Sequence, residues 1–571
     1  MNNILRFFTL FALIGNVILS ARAIDVAAWN VTNTKGQNYT AANGTIKTYA
    51  RPDDYTLEDG SPRFNVLVNG EAYAGLYDTK NQWSGNVSFG YFDFKDGTPI
   101  DVVISCRKSL DDYDLIPAGA EISNVQKIND NILKFTISKA NQNVTLVLGG
   151  DYRKGDVLHL FCNDMIDEPA ATPASGYVYD STTKTYCFGP GVYKLGDKFS
   201  NGELQVQGGR NIYLAGGAVV YGQLGISGAN SMIYGHGMIV STGGAELAAY
   251  GTTSGIVDGI ICQRPSGIGG WQTTYTYCKN LTVKNIKILS AYFGSTDGMD
   301  FQLCQDMTFD NCFVRACDDC IAIKGLAADG TDPATQNVER NLNFTHMQLW
   351  TDANNAFGIG AETMASSFDG IRFTDSDVLS HDDITSYDGN MVDRSALNIT
   401  ALEGTYFHDI VIDDIRVNRC VQLIQLGFED SFWYGTLLGN MSWEGSMYDI
   451  HFNNISCPNK TADALLANNV RLRGWYKEGT PTKYIHDIYF NNVTIEGQPF
   501  NSWDNANLVT NNTDDLKLVY DLHFNEEEVS GIEKIQTAQP LDNRYYDLAG
   551  RCVAQPTQGI YIHNGKKIIL K

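Results

Sequence analysis

Positive charge is what this chain of 571 residues has least of: 42 Lys and Arg stand against 65 Asp and Glu, a formal charge of −23. Nucleic acid is thereby excluded as a partner, since phosphate binding needs basic patches. The balance also disfavours a polyanionic substrate, although charge local to a cleft can override a total. Long apolar runs are equally scarce. Phe7–Leu19 is the one candidate, preceded by Arg6 and followed by Ala21-Arg22-Ala23. It is too short and too isolated for a membrane anchor. Its layout is that of a signal peptide cut after Ala23. A secreted protein without a membrane span is expected, extracellular or at the cell surface, with the periplasm as the alternative. Charged residues make up only 19% of the chain, while 55 glycines and 11% aromatics favour a β-rich fold with many turns.

What is present is a repeat. Units of apolar, any, apolar, any, Asn or Asp, apolar recur through the second half. They include Leu281-Thr282-Val283-Lys284-Asn285-Ile286, Met307-Thr308-Phe309-Asp310-Asn311-Cys312 and Ile488-Tyr489-Phe490-Asn491-Asn492-Val493. Other copies begin at Leu342, Ile371, Ile410 and Ile450. Alternation marks strands with one buried face. The recurring Asn or Asp sits where the chain must turn, and such residues can stack from coil to coil. Irregular spacing excludes a strict short-period repeat but suits a right-handed parallel β-helix with variable loops on one side. A propeller would need about four strand signals per blade, and about one per step is found.

The sequence divides accordingly. Residues 1–23 form the signal peptide. Residues 24–165, with strands such as Phe64–Val68 and Ile132–Ile137, read as an antiparallel β-sandwich. A linker at 166–180 carries Pro169, Pro173 and Gly176, and the β-helix occupies 181–524. The charged run Glu526-Glu527-Glu528 opens a tail module at 525–571, a sorting device or a cap. The fold class is all-β.

Two acid motifs lie inside the helical region, Ser295-Thr296-Asp297-Gly298-Met299-Asp300 and Ala316-Cys317-Asp318-Asp319-Cys320-Ile321. Asp318 follows Asp297 by 21 positions, about one coil, which would stack the two on neighbouring rungs roughly 4.8 Å apart. Either motif alone is ordinary turn chemistry. Together they crowd three carboxylates, so at least one holds its proton. Glycosidic hydrolysis needs that combination, one acid to protonate the leaving oxygen and one base to activate water. Strand alternation would send Asp318 and Asp319 to opposite faces, so a bend is expected there. Twelve cysteines leave disulfides open. Cys304, Cys312, Cys317 and Cys320 surround the acids but read as buried hydrophobes rather than as a metal site. No metal and no cofactor are expected.

These motifs resemble the glycoside hydrolase clan of polygalacturonases and dextranases, over some 340 residues of the helical region. The clan's Asn-Thr-Asp and Asp-Asp motifs are matched by Ser295-Thr296-Asp297 and Asp318-Asp319. Its Gly-His-Gly motif is replaced by Asn355-Ala356-Phe357-Gly358-Ile359-Gly360-Ala361-Glu362. Its Arg-any-Lys motif, which grips a galacturonate carboxylate, is replaced by Ala396-Leu397-Asn398-Ile399-Thr400. The dextranase and isopullulanase branch keeps the acids, lacks the basic pair and has an N-terminal β-sandwich, so the layout here is closest to that branch.

The resemblance implies a secreted, inverting hydrolase of a polysaccharide, a neutral α-glucan such as dextran. A pectin hydrolase of polygalacturonase type is the alternative. A non-catalytic carbohydrate-binding β-helix and a polysaccharide lyase are the readings from other classes. Asp318 would be the general acid, and Asp297 and Asp319 would hold and deprotonate water. Asp300, Lys324, Trp350, Glu362 and His381 are the candidate substrate-binding residues, with Trp433 and Tyr434 as further stacking aromatics. The extreme C-terminus, Tyr545 to Lys567, resembles tail modules of proteins exported by Bacteroidetes-type bacteria. It would engage export machinery or the cell surface. A capping hairpin is the alternative.

Overall fold

The computed structural model describes residues 28–58, 60–80, 85–290, 294–325, 337–382, 394–432, 435–459 and 470–525, together with 545–546, 552–553, 557, 559–563 and 566–570. The proposed signal peptide, Trp433, Tyr434 and the run Glu526–Glu528 lie outside the described residues.

Strand-forming stretches bounded by turns build two facing sheets in the first part of the chain. One has seven strands and includes Asn86–Phe94, Gln142–Leu148 and Val157–Asp164; the other has five, including Phe64–Val68, Ile100–Cys106 and Ile132–Ile137. Their facing side chains, among them Phe64, Phe92, Phe135 and Leu160, form one buried core. Pairing is antiparallel throughout except between Val157–Asp164 and Asn86–Phe94, which run parallel. The expected sandwich therefore stands with one parallel seam.

After a hairpin of Tyr177–Asp180 with Thr185–Phe188 the chain coils. Two stacks form, one of 23 strands and one of 11, parallel except for that hairpin and the pairing of Ile488–Ile495 with Gln498–Pro499. The repeat units of the sequence lie in register in the larger stack. Val283 pairs with Phe309, Phe309 with Phe344, Phe344 with Phe373, Phe373 with Ile412, Ile412 with Phe452 and Phe452 with Phe490. All of these are buried, so one apolar position per coil builds a continuous interior column.

The turn position of each unit takes a left-handed backbone, with φ of 54° at Asn285, 52° at Asn311, 51° at Asn454 and 54° at Asn492. Asn tolerates that region better than most residues. Its side chain also links coils: Asn311 Nδ2 donates to Asn285 Oδ1 at 2.8 Å, and Asn492 Nδ2 to Asn454 Oδ1 at 2.9 Å.

The sandwich packs on one side of the coil. Tyr77, Phe89, Tyr91 and Phe161 share a buried cluster with Val240, Leu289, Phe313, Trp350 and Leu379. Polar pairs cross the same boundary: Lys287 Nζ donates to Asn163 Oδ1 at 2.6 Å, and Asp93 faces His236 Nδ1 at 2.8 Å. The 11-stranded stack takes no part in this apolar cluster, which leaves its outer face to the acids. None of the eleven cysteines described is in a disulfide, and Cys304, Cys312, Cys317 and Cys320 are all fully buried.

The tail, Phe524 onward, is a separate compact unit. Its described strands Cys552–Val553, Tyr545–Tyr546, Gly559–His563 and Lys566–Leu570 form a four-stranded antiparallel sheet in that order.

Candidate active site

Strands Met299–Gln302 and Ile321–Lys324 are neighbours in the 11-stranded stack, with Met299 paired to Ile321. Met299, Phe301, Ile321 and Ile323 fill the interior. Alternation then turns Asp300, Gln302, Ala322 and Lys324 to the outer face. The acids precede these strands. Gly298 N donates to Asp319 O at 2.8 Å, so Asp297 stands over Asp319 and the coil is one residue longer than the 21 of the sequence estimate. Asp318 and Asp319 sit in the bend between Phe313–Ala316 and Ile321–Lys324. The bend lets adjacent side chains converge.

The carboxylates of Asp297, Asp318 and Asp319 approach within 4.8 Å of one another, and each residue is 3% exposed. Asp318 is pinned by N–H donors: Ser295 N at 2.6 Å to Oδ2, and Asn354 Nδ2 at 2.6 Å and Asp319 N at 3.0 Å to Oδ1. Asp319 Oδ1 accepts from Asn355 N and Nδ2, both at 2.8 Å. Lys324 Nζ lies 3.5 Å from Asp297, 3.8 Å from Asp300 and 3.2 Å from Glu362. Its charge also faces the Trp271 ring at 5.0 Å.

Crowded burial raises the proton affinity of all four aspartates. Burial and then the Asp318 charge push Asp297 up to about 7. Burial, followed by the charges of Asp318 and Asp297, holds Asp319 well above the usual carboxylate range. Asp318 is raised by burial, against the opposing pull of its Asn354 and Ser295 bonds and of the Lys324 and Arg394 charges. Asp300 is raised strongly by burial and then by Asp297. Burial works against the Lys324 ammonium, but Asp297, Glu362 and Asp300 outweigh it, and the amine stays charged well beyond its ordinary range. A cluster that retains a proton beside a permanent cation is equipped for acid and base steps in one place.

The sequence-predicted residues divide in two. Asp297, Asp318, Asp319, Asp300, Lys324 and Glu362 come together. Within this group Asp300 has no exposed surface, so it underlies Lys324 rather than meeting a sugar. Trp350 and His381 do not join them as substrate contacts. Trp350 is fully buried on the sandwich side, stacked on Tyr152 at 5.3 Å with the Arg315 guanidinium 4.2 Å from its ring. His381 is fully buried too and accepts from Val421 N at 3.2 Å. Aromatic and imidazole rings fill interior space as readily as they meet sugars, and exposure decides which.

Two residues of the site escape sequence reasoning. Trp271 stands one coil before the first acid motif, where Gln272 N bonds Asp297 O at 2.9 Å. The fully buried Arg264 holds its carbonyl at 2.9 Å. Arg394, buried, directs its charge at Asp318. It lies two positions before the Ala396–Thr400 segment in which a cation was sought. The tryptophan gave a signal, since an indole one coil from an acid motif is in stacking range.

Comparison with known families places this geometry. Residues 272–382 match the model for Glycosyl hydrolases family 28. They hold every acid just described. The chain is a glycoside hydrolase of β-helix fold, similar to family 28 over those residues. Among solved structures the hydrolase is similar to Dex49A from Penicillium minioluteum, at 12% identity over 85% of this chain and 100% of that one, with a TM-score of 0.58. It is also similar to a family 28 exopolygalacturonase from Yersinia enterocolitica, at 11% identity over 76% and 98% of the two chains, with a TM-score of 0.36. The Dex49A likeness bears on fold alone. Comparison with curated proteins gives no match. No described helix is long and apolar enough to cross a membrane.

Proposed function

We propose that the hydrolase cleaves O-glycosidic bonds of a neutral α-glucan such as dextran, by three-aspartate general acid/base catalysis with inversion at the anomeric carbon. The observation that carries this is the convergence of Asp297, Asp318 and Asp319 within 4.8 Å beside Lys324. Asp318, whose proton affinity burial raises, protonates the leaving oxygen. Asp297 and Asp319, stacked on adjacent rungs, orient and deprotonate the attacking water. Lys324 keeps one member of the trio ionised while the others share a proton. No metal is required, because the ammonium supplies the positive charge that three carboxylates would otherwise draw from a hard cation.

The nearest oxygens are closer than the about 6.5–9.5 Å typical of inverting carboxyl pairs. Rung spacing imposes this, since residues stacked on successive strands lie about 4.8 Å apart. Inversion is proposed because a third acid is present: two carboxylates hold water and one protonates, and none is left as a dedicated nucleophile. Proton NMR during the first turnovers decides. The first product anomer should have the β configuration if an α bond is cut with inversion; an α anomer would mean a covalent intermediate and retention.

The neutral-glucan reading rests on the match of Lys324 to three carboxylates, which leaves its charge engaged. Arg394 beside Asp318 favours a second reading, a galacturonate-cleaving enzyme in which that guanidinium meets the sugar carboxylate. The boundaries at 23, 165, 180 and 524, secretion, and export or surface attachment through the tail belong to the same proposal.

A further inference from the structure

The loop between strands Ile261–Gln263 and Thr273–Thr276 reads Arg264-Pro265-Ser266-Gly267-Ile268-Gly269-Gly270-Trp271-Gln272. Its glycines bring no side chain to fix a shape and lose the most freedom on ordering. The loop is nevertheless pinned, and by its own first residue. Arg264, 1% exposed, donates from Nη1 to Gly269 O at 2.7 Å. Its Nη2 lies 2.9 Å from each of Trp271 O, Gly244 O and Glu246 Oε2. Glu246 has no exposed surface either. Two charges taken wholly out of water are expensive to keep, and here the guanidinium is spent on backbone carbonyls of one loop.

The backbone carries that clamp to the acids. Gly270, between the two clamped carbonyls of its own loop, donates its N–H to Ser295 O at 3.0 Å. Ser295 takes a left-handed backbone, φ 58°, and donates its N–H to Asp318 Oδ2 at 2.6 Å. A serine holds that conformation only where its surroundings over-determine it, and the Gly270 bond is one such constraint. The Ser295 bond fixes one oxygen of Asp318. It also opposes the rise in proton affinity that burial causes there, which an acid that must release its proton needs. The same clamp fixes the Trp271 peptide, whose ring faces the Lys324 ammonium at 5.0 Å.

Resting on the hydrolase reading above, we propose that Arg264, paired with Glu246, is a positioning residue for the general acid: by clamping Gly269 and Trp271 it sets Gly270 against Ser295 and so aims the Ser295 N–H at Asp318.

The variant Arg264→Met with Glu246→Leu removes the clamp and both buried charges together, an exchange that protein interiors often tolerate. Its kcat on dextran should fall about 10- to 10²-fold, the scale of a small misplacement near the chemistry, with KM within about twofold. The alkaline limb of its kcat profile should move to higher pH, because losing an N–H bond raises a carboxyl's proton affinity. Asp297, Asp319, Lys324 and Arg394, the charged groups that face Asp318, are all retained. A merely structural role would lower turnover equally at every pH, so a limb that stays in place overturns the proposal. Gly270→Ala repeats the test with the ion pair kept. Its Cβ would stand 3.3 Å from Arg264 Nη1 on a backbone with φ of 108°, and the limb should move the same way. Hydrogen exchange read by mass spectrometry needs no substrate. Peptides covering 265–272 and 294–298 should lose protection in both variants while those of the sandwich keep theirs; unchanged exchange at Ser295 overturns the inference. Absence of turnover in the unaltered protein would refute the dextran reading alone and leave the clamp to be decided by exchange.

Discussion

Asp297 titrates near 7 because burial and the neighbouring Asp318 oppose its charge, and this has two consequences at the scale of single residues. Asp297 is assigned to deprotonate water and must be ionised to do so, so turnover should rise as pH rises through about 7 instead of through the ordinary carboxylate range. Stability runs the other way. A carboxyl whose proton affinity is higher in the folded state than its ordinary 3.8 adds stability below that ordinary value, and the contribution is lost as pH rises through about 7. Asp297→Asn should therefore raise the melting temperature at pH 8 more than at pH 4, measured by calorimetry, while removing activity. Equal shifts at both pH values would mean that the carboxyl is not under strain. The acids were legible because their spacing is local to the chain. Trp271 and Arg394 were not, since each reaches the site from another coil. Trp350 and His381 were misassigned for a related reason: a ring's exposure is a property of the packing around it.

At the scale of elements, the alternating pattern was sufficient for the strands, and the Asn at its fifth position sufficient for the turn. It did not determine the length of a coil, because loops enter between strands without disturbing the pattern. That is why Asp297 pairs one residue further along than spacing implied. The ladder itself is testable at Asn311, whose amide donates to Asn285 at 2.8 Å and to Asn141 O of the sandwich at 2.8 Å, from a left-handed backbone. Asn311→Ala removes both bonds and places alanine in that backbone. Urea unfolding should show a loss of about 2–4 kcal/mol. A loss below about 0.5 kcal/mol, the range of ordinary surface changes, would show that these corner bonds do not hold the coil.

For the whole molecule, the sandwich and the coil share a buried polar seam inside an aromatic cluster. Arg315 Nη1 meets His159 Nε2 at 3.1 Å, and its Nη2 meets Asp352 at 3.2 Å, with all three side chains out of solvent. Burial and the Arg315 charge keep His159 neutral, well below its usual range. Arg315→Met removes the guanidinium that faces the Asp352 carboxylate, and breaking such a buried pair costs about 3–5 kcal/mol. Calorimetry should show a lower melting temperature with sandwich and coil still unfolding in one transition. Separation into two transitions would mean that the seam, not the wider apolar contact, couples them. Nothing in the sequence marked this interface, because a sandwich strand buried on both faces reads like any other apolar run.

The central claim is that three clustered aspartates hydrolyse a neutral α-glucan, and reducing-sugar release on dextran, pullulan and polygalacturonate side by side tests it most directly, with Asp318→Asn as the control. Release from a neutral glucan that drops by about 10²–10⁴ in the variant is the predicted result. Release from polygalacturonate alone would contradict the neutral-glucan assignment and give Arg394 the substrate carboxylate. Undiminished release by the variant would contradict the three-aspartate mechanism itself.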